Sequence, residues 1–396
     1  MIHFFNTSTA LVVVAFFALI SCVSTSDNIS PSYGEGTAIF LRIDQSVFET
    51  RAVSSPIPEN TPLNFNTGNL FLVTSDGVIM EHFPIVADGG ASNPSQILSG
   101  NSININHLTS NFGVVIRNLP PSLRNGYAVV VGNTPFTSNA INISDVEEIV
   151  IDVLRQSQFH LTSSGYGVNL FGRALLTNPN NDILNGNRLY SSTVTVNPTV
   201  ARLEITNIVG MGNITSFYVE GVFIDNFYRH AHIDGSITAP RVNNIATGGS
   251  FNWNTSTFPS AFHEILFDWH GNSLLSSAPV SITINNEVFD FPAVSPDTSN
   301  VWSYHLFARS TYTTPPNIVF RLRDVQVYGE DNPRPNPQFV TISGFVRDDN
   351  NAALQGFRAG NIYHIRENTL VFYEGNLRST PMLPSSGTLS TRVTVK

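Results

Sequence analysis

The chain has 396 residues, with 29 Asp and Glu against 20 Lys and Arg, a net charge of −9, and an apolar share of 41%. That much apolar material supports a sizeable core. The acidic balance, with no basic cluster, excludes a nucleic-acid binder, which needs cations to neutralise phosphates. Only 12% of residues are charged, and the abundant Asn, Ser, Thr and Gly give the uncharged polar composition of an extracellular β-protein, not of a highly charged disordered chain.

Ala10 to Ile20 is an unbroken apolar run. It is too short to span a bilayer and is the size of a signal-peptide core. It leads into Leu19, Ile20, Ser21 and Cys22, a pattern that resembles the lipobox of bacterial lipoproteins. The resemblance implies a signal peptide over 1–21, diacylglycerol on the Cys22 sulfur, and cleavage in front of that cysteine. Cys22 is the sole cysteine, which excludes an intramolecular disulfide.

The next element is a strand. Ile39, Leu41 and Ile43 alternate with Phe40, Arg42 and Asp44, so one face is apolar. After it comes a stretch holding Arg51, Ala52 and three prolines, which prolines keep out of helices and central strands. A single arginine in such an exposed loop is either a solvated charge at a strand end or a good protease substrate.

Beyond it, two apolar runs flank Ser75, Asp76 and Gly77, a hairpin signal. Short strands continue through Gly113–Leu119, Gly126–Gly132, Ser192–Ile208, Ser216–Phe227, Pro279–Pro292 and Asn317–Gly329. In one of them Leu203, Ile205 and Ile208 face Arg202, Glu204 and Thr206. One helix is predicted over 143–158, opened by Ser144 with Glu147 at capping-box spacing. Its stripe is Val146, Ile149, Val150, Val153 and Leu154. Turn formers crowd 178–187, which places a domain boundary near residue 190. A second loop is predicted over 329–338. The final strand puts Leu389, Thr391, Val393 and Val395 on one face.

No catalytic signature emerges: there is no Gly-x-Ser-x-Gly, phosphate loop or His-Glu-x-x-His. His230 and His232 share one side of an extended segment, a polar edge more readily than a metal site without a third ligand. Asp268 and His270 flank Trp269 without a nucleophile turn. Trp253, Trp269 and Trp302 are read as buried aromatics ahead of sugar platforms. The expectation is a non-enzyme with no cofactor, no metal and no catalytic residue.

The lipobox, the first strand, the Arg51–Ala52 junction, the 69–77 strand pair, the 127–135 strand, the helix, the 199–208 strand and the late 360–372 segment occur in the order seen in Bacteroidales fimbrillins, which the chain resembles over nearly its whole length. The resemblance implies an all-β fold of two tandem transthyretin-like β-sandwiches with few short helices. It implies a lipidated propeptide over 22–51, an N-terminal domain over 52–190 and a C-terminal domain over 191–396. It further implies a precursor carried to the outer membrane by its lipid, then cut between Arg51 and Ala52 by an arginine-specific protease. The propeptide strand, bearing Ile39, Leu41 and Ile43, then leaves a groove that another fimbrial subunit fills with a donor strand. Leu389, Thr391, Val393 and Val395 fit that donor role. The partners implied are other fimbrial subunits, and the destination is an adhesive cell-surface fimbria. Members of the family continue past this strand with a tryptophan-bearing segment where this chain stops at Lys396, so an accessory or tip subunit is expected beside a stalk role. The rival reading is a surface glycan-binding lipoprotein of a carbohydrate-uptake system.

Overall fold

The computed structural model describes residues 36–45, 65, 67–134, 136, 139–153, 168–205, 208–238, 241–242, 266–268, 282–284, 287–289, 302–307, 315–354, 356–365, 369–381 and 389–395. Cys22, Arg51, Ala52, Leu154, Thr206, Trp253, Trp269 and His270 lie outside them.

In chain order the first half comprises β1 (Thr37–Gln45), β2 (Thr67–Val73), β3 (Ile79–Val86), β4 (Ile103–Asn104), helix α1 (Ile105–Thr109), β5 (Val114–Leu119), β6 (Tyr127–Gly132), helix α2 (Ile143–Glu147), β7 (Val150–Asp152), β8 (Leu170–Leu175), β9 (Ile183–Leu184) and β10 (Asn187–Pro198). The second half begins with β11 (Val200–Ile205), β12 (Val209–Met211), β13 (Ile214–Asp225), β14 (Phe227–Tyr228), β15 (His230–His232), β16 (Arg241–Val242), β17 (Leu266–Asp268), β18 (Ile282–Ile284) and β19 (Glu287–Phe289). It ends with β20 (Trp302–Phe307), β21 (Asn317–Val327), β22 (Gln338–Ile342), β23 (Gly344–Arg347), β24 (Ile362–Ile365), β25 (Val371–Tyr373) and β26 (Ser390–Val395). The fold is all-β, and each of the two α-helices among the described residues is only five residues long.

The first half forms a nine-stranded sheet in the order β4-β3-β2-β6-β8-β10-β1-β5, with β9 on β10. The sheet turns at β10, whose Asn197 and Pro198 pair with β8 while its preceding residues pair with β1. Ile39, Leu41 and Ile43 of one wing therefore share a core with Leu70, Leu72, Phe83 and Val130 of the other. The β2–β3 hairpin closes as expected. Thr74 N–H donates to the Val78 carbonyl at 2.9 Å, and Gly77 sits at φ +93°, where a side chain would be strained.

The second half stacks a five-stranded sheet, β20-β11-β24-β26-β23, with two four-stranded sheets, β17-β13-β21-β22 and β19-β18-β12-β25. The Tyr304 hydroxyl crosses between two of these layers, donating to the Val222 carbonyl at 2.8 Å. The core continues into the first half: Phe71, Val129 and Val131 on the reverse face of β2 and β6 meet Ile143, Val146 and Ile151, and through them the second core. β7 also pairs with β15 across the two halves, clasped by an Arg229–Asp152 ion pair at 3.2 Å.

Two sequence expectations are corrected. The helix predicted over 143–158 is a single turn, and its cap is Asn142 with Asp145, not Ser144 with Glu147. Val150, assigned to its apolar stripe, is 54% exposed and starts β7. The β-branched run Val150, Ile151, Val153 favours extended backbone, and the partner strand β15 supplies the hydrogen bonds a second helical turn would have made. The boundary near 190, between the expected 52–190 and 191–396 domains, falls inside β10. The turn formers of 178–187 belong instead to the β9–β10 hairpin, where Asn185 and Gly186 at φ +50° and +81° form the turn. The sheet changes only between Pro198 and Val200. The polar face of β11 is buried too: Arg202 and Glu204 are 4% and 3% exposed and pair at 2.8 Å. A buried pair of this kind is costly to break because the surviving charge has no water.

Candidate assembly site

β1 occupies an internal position. All nine of its residues pair in parallel with β10, from Thr37 opposite Arg188 to Gln45 opposite Val196. On its other side it runs antiparallel to β5, with Ile39 opposite Ile116 and Leu41 opposite Val114. The alternation read from sequence decides the facing: Ile39, Leu41 and Ile43 are 0%, 0% and 1% exposed. Burying three such side chains contributes roughly 5–9 kcal/mol, an upper figure because the unfolded chain already hides part of that surface. On the opposite face, Arg42 bridges Asp44 at 3.0 Å.

The sheet depends on this strand. β5 ends the strand order, and β1 is its neighbour within it. On its far side β5 has an isolated bridge, Ile97 to Ile116, and the Val115 N–H to Pro94 carbonyl bond at 2.7 Å. Taking β1 away would strip hydrogen-bond partners from β5 and β10 together and expose an apolar floor, the condition that invites another strand. Gly113 shows how tightly the turn before β5 is laid over this strand. It has φ +57°, and a Cβ there would lie 2.5 Å from the Leu41 carbonyl oxygen.

The fit of β1 is also incomplete. The Ser192 hydroxyl, on the β10 residue opposite Leu41, is buried without a hydrogen-bond partner among the described residues, as is the Thr37 hydroxyl. Each such group costs about 1–3 kcal/mol.

β26, the expected donor strand, lies in its own domain. It runs parallel to β23, with Phe345 opposite Thr391 and Arg347 opposite Val393, and antiparallel to β24, with His364 opposite Thr394. Thr391 and Val393 are 2% and 0% exposed, while Leu389 and Val395 pack at the edge of the core. Thr391 donates to the Thr369 carbonyl at 3.1 Å and Thr394 to Asp348 Oδ2 at 2.7 Å. Donation would require this strand to leave its seat. Thr391 and Val393 lie on the buried face, and the seat has a form that sequence alone did not reveal: like β1, β26 lies between one parallel and one antiparallel neighbour.

The remaining sequence candidates do not assemble into a reactive centre. His232 Nδ1 lies 3.0 Å from the Glu148 carbonyl and His230 Nε2 lies 3.8 Å from Asp152, so both belong to the β7–β15 joint. Asp268 ends β17 and Trp302 opens β20. Among the described residues no cluster of three metal-ligating side chains is present, and no helix is long and apolar enough to cross a membrane.

No family model matches the sequence and no curated protein does. The chain is similar to several solved structures. A candidate cell adhesion protein from Parabacteroides distasonis has a TM-score of 0.49 at 11% identity, over 91% of this chain and 98% of its own. The fimbrilin FimA from Porphyromonas gingivalis has a TM-score of 0.48 at 9% identity, over 92% and 98%. The tip fimbrial protein Mfa3 from the same organism, truncated at its C-terminus, has a TM-score of 0.39 at 10% identity, over 83% and 93%.

Proposed function

We propose that the chain is a structural, non-enzymatic subunit of a bacterial surface fimbria, exported as a lipoprotein anchored through Cys22 and assembled by strand exchange after cleavage between Arg51 and Ala52. The observation that carries this reading is the seat of β1. An internal, fully registered strand is joined to the rest of its sheet by the connection between Gln45 and Thr67, and that connection holds Arg51. A cut there converts an intramolecular strand into a removable peptide without touching another element among the described residues.

The tether explains the timing. A strand still covalently tethered to its sheet has an effective concentration on the order of millimolar, so an incoming strand cannot compete until the tether is cut. After release, a strand from a second subunit recovers the lost main-chain bonds of β5 and β10 and refills the apolar floor. β26 suits the role because its own seat also has one parallel and one antiparallel edge. It also brings a threonine hydroxyl on its inward face, which at the Leu41 position would give Ser192 a partner.

The test is Arg51→Ala. It should accumulate as a folded, lipid-anchored monomer absent from filaments, while wild-type filaments yield Ala52 as their first residue. Filaments built from Arg51→Ala chains that still begin at Cys22 would overturn the reading. Labelled palmitate should enter the wild-type precursor and not Cys22→Ser; label in both would remove the lipid anchor from it.

A further inference from the structure

On the outer face of the β5–β1–β10 wing is a cavity of about 490 Å³, within the size range of small-ligand sites. Its floor is the outward side of the strands, including Phe40, Val115 and Leu189. One wall is the turn before β5, which carries Phe112, 63% exposed despite its size. The other wall is the loop entering β9, which brings Asn180 and the half-buried Asp182.

That second wall is held in place by its own bonds. The Asn178 side chain accepts from the Asp182 N–H at 2.8 Å and donates to the Asp182 carbonyl at 3.3 Å. The Leu189 N–H donates to the same carbonyl at 2.9 Å, and Thr177 and Ser191 exchange backbone bonds at 3.0 and 2.8 Å. The cavity is therefore preformed. By contrast, no hydrogen bond among the described residues engages the side chains of Asn111, Asn180, Asp182 or Thr193, all of which line it.

The lining selects a chemical class. No Arg or Lys lines the cavity among the described residues, so a phosphate or carboxylate would meet Asp182 with no compensating cation. An acyl chain would cover Phe112 and Phe40 but desolvate Asp182 without giving it a donor. A ring with apolar C–H faces and a rim of hydroxyls answers both demands, offering a stacking face to the aromatics and hydroxyl donors to the carboxylate and amides. We propose that this cavity is a binding site for a neutral sugar residue, stacked on Phe112 and held through its hydroxyls by Asp182, Asn180 and Asn111. Because Phe40 lies on β1, the complete site exists while β1 is in place, and a bound sugar stabilises that state.

The experiment uses the full chain uncut at Arg51, titrated with a panel of neutral pyranosides and short neutral oligosaccharides under ligand-observed NMR, with a fatty acid and inorganic phosphate as contrasting probes. At least one sugar should bind with a Kd at or below about 1 mM, and Phe112→Ala and Asp182→Asn should each weaken it about tenfold or more with unchanged melting temperature. Neither substitution touches the β1 core, so both variants should still assemble into filaments after cleavage. No sugar binding by the folded wild type, binding that survives both substitutions, or preference for the fatty acid or phosphate would each overturn the proposal. These outcomes leave the assembly reading untouched, since that reading fails on the filament measurement alone.

Discussion

β1 and β26 hold like positions in different halves of the molecule. Each lies between one parallel and one antiparallel neighbour, and each turns an alternating set of side chains inward. They differ in how completely they fit. β1 is nine residues long with Ile39, Leu41 and Ile43 sealed from solvent. β26 is six residues long, alternates exposed with buried positions, and leaves its last two residues partly open. The difference teaches which strand can move. On the proposed assembly route, β1, with the larger apolar and main-chain hold, would come free only when a covalent link is cut, whereas β26, more weakly seated, would exchange one slot for another.

The comparison breaks most completely if β26 is pinned. His364 and Thr394 are direct partners across β24 and β26, and such pairs bring Cβ atoms about 4.5–5.5 Å apart, near disulfide reach. In His364→Cys with Thr394→Cys, the oxidised protein should be cleaved normally yet form no heat-sensitive ladder on SDS gels, and reduction should restore it. A ladder from the oxidised protein would mean that β26 is not the donor. Simple deletion of 388–396 would be a poorer test, because it also removes an internal strand from the C-terminal sheet.

The next effect sharpens the contrast between a temporary and a permanent strand. Leu41→Ala should destabilise the uncut chain by about 2–5 kcal/mol, the range for emptying a fully buried leucine site. After cleavage and strand exchange the variant side chain is gone, so filaments from Leu41→Ala and wild type should melt alike. Val393→Ala should instead weaken both states. Equal destabilisation of Leu41→Ala filaments would show that β1 stays in its slot.

A smaller loss is expected from Gly113→Ala. The residue sits at φ +57° and its new Cβ would meet the Leu41 carbonyl oxygen at 2.5 Å. Left-handed backbone alone costs an ordinary residue about 1–2 kcal/mol, and the contact pushes the turn away from β1. Chemical denaturation of the uncut chain should register the loss; no change would mean that the turn is not braced on that strand.

The sequence was most legible where one face of a strand is polar. β1, the β2–β3 hairpin and the inward face of β26 all follow from alternation or turn chemistry. It was least legible where tertiary partners override local pattern. The 143–158 stretch has helical spacing, but β15 draws Val150–Asp152 into a strand. Arg202 and Glu204 alternate with the apolar residues of β11, yet neighbouring strands bury them as a pair. Asn185 and Gly186 read equally as linker or hairpin, and only the pairing of Leu184 with Asn187 decides. The sugar cavity had no local signature at all, because Phe40, Phe112 and Asp182 come from separate elements and no motif spaces them.

The smallest expected effect concerns the two arginines near the propeptide strand. Arg42 lies within β1 opposite Thr193, and its partner is Asp44 on the same strand at 3.0 Å, with side chains 33% and 49% exposed. An ion pair so open to water and salt contributes at most about 1 kcal/mol. Its peptide bond is also held in the sheet by the pairing with β10, where a protease cannot draw the backbone into its own extended register. Arg42→Ala should therefore be cut between Arg51 and Ala52 at the wild-type rate, enter filaments normally, and melt within about a kcal/mol of wild type. Mass spectrometry of the released peptide distinguishes the cases. A fragment ending at Arg42 in the wild type would place the maturation cut inside the strand, and would mean that β1 leaves its slot before cleavage and not because of it.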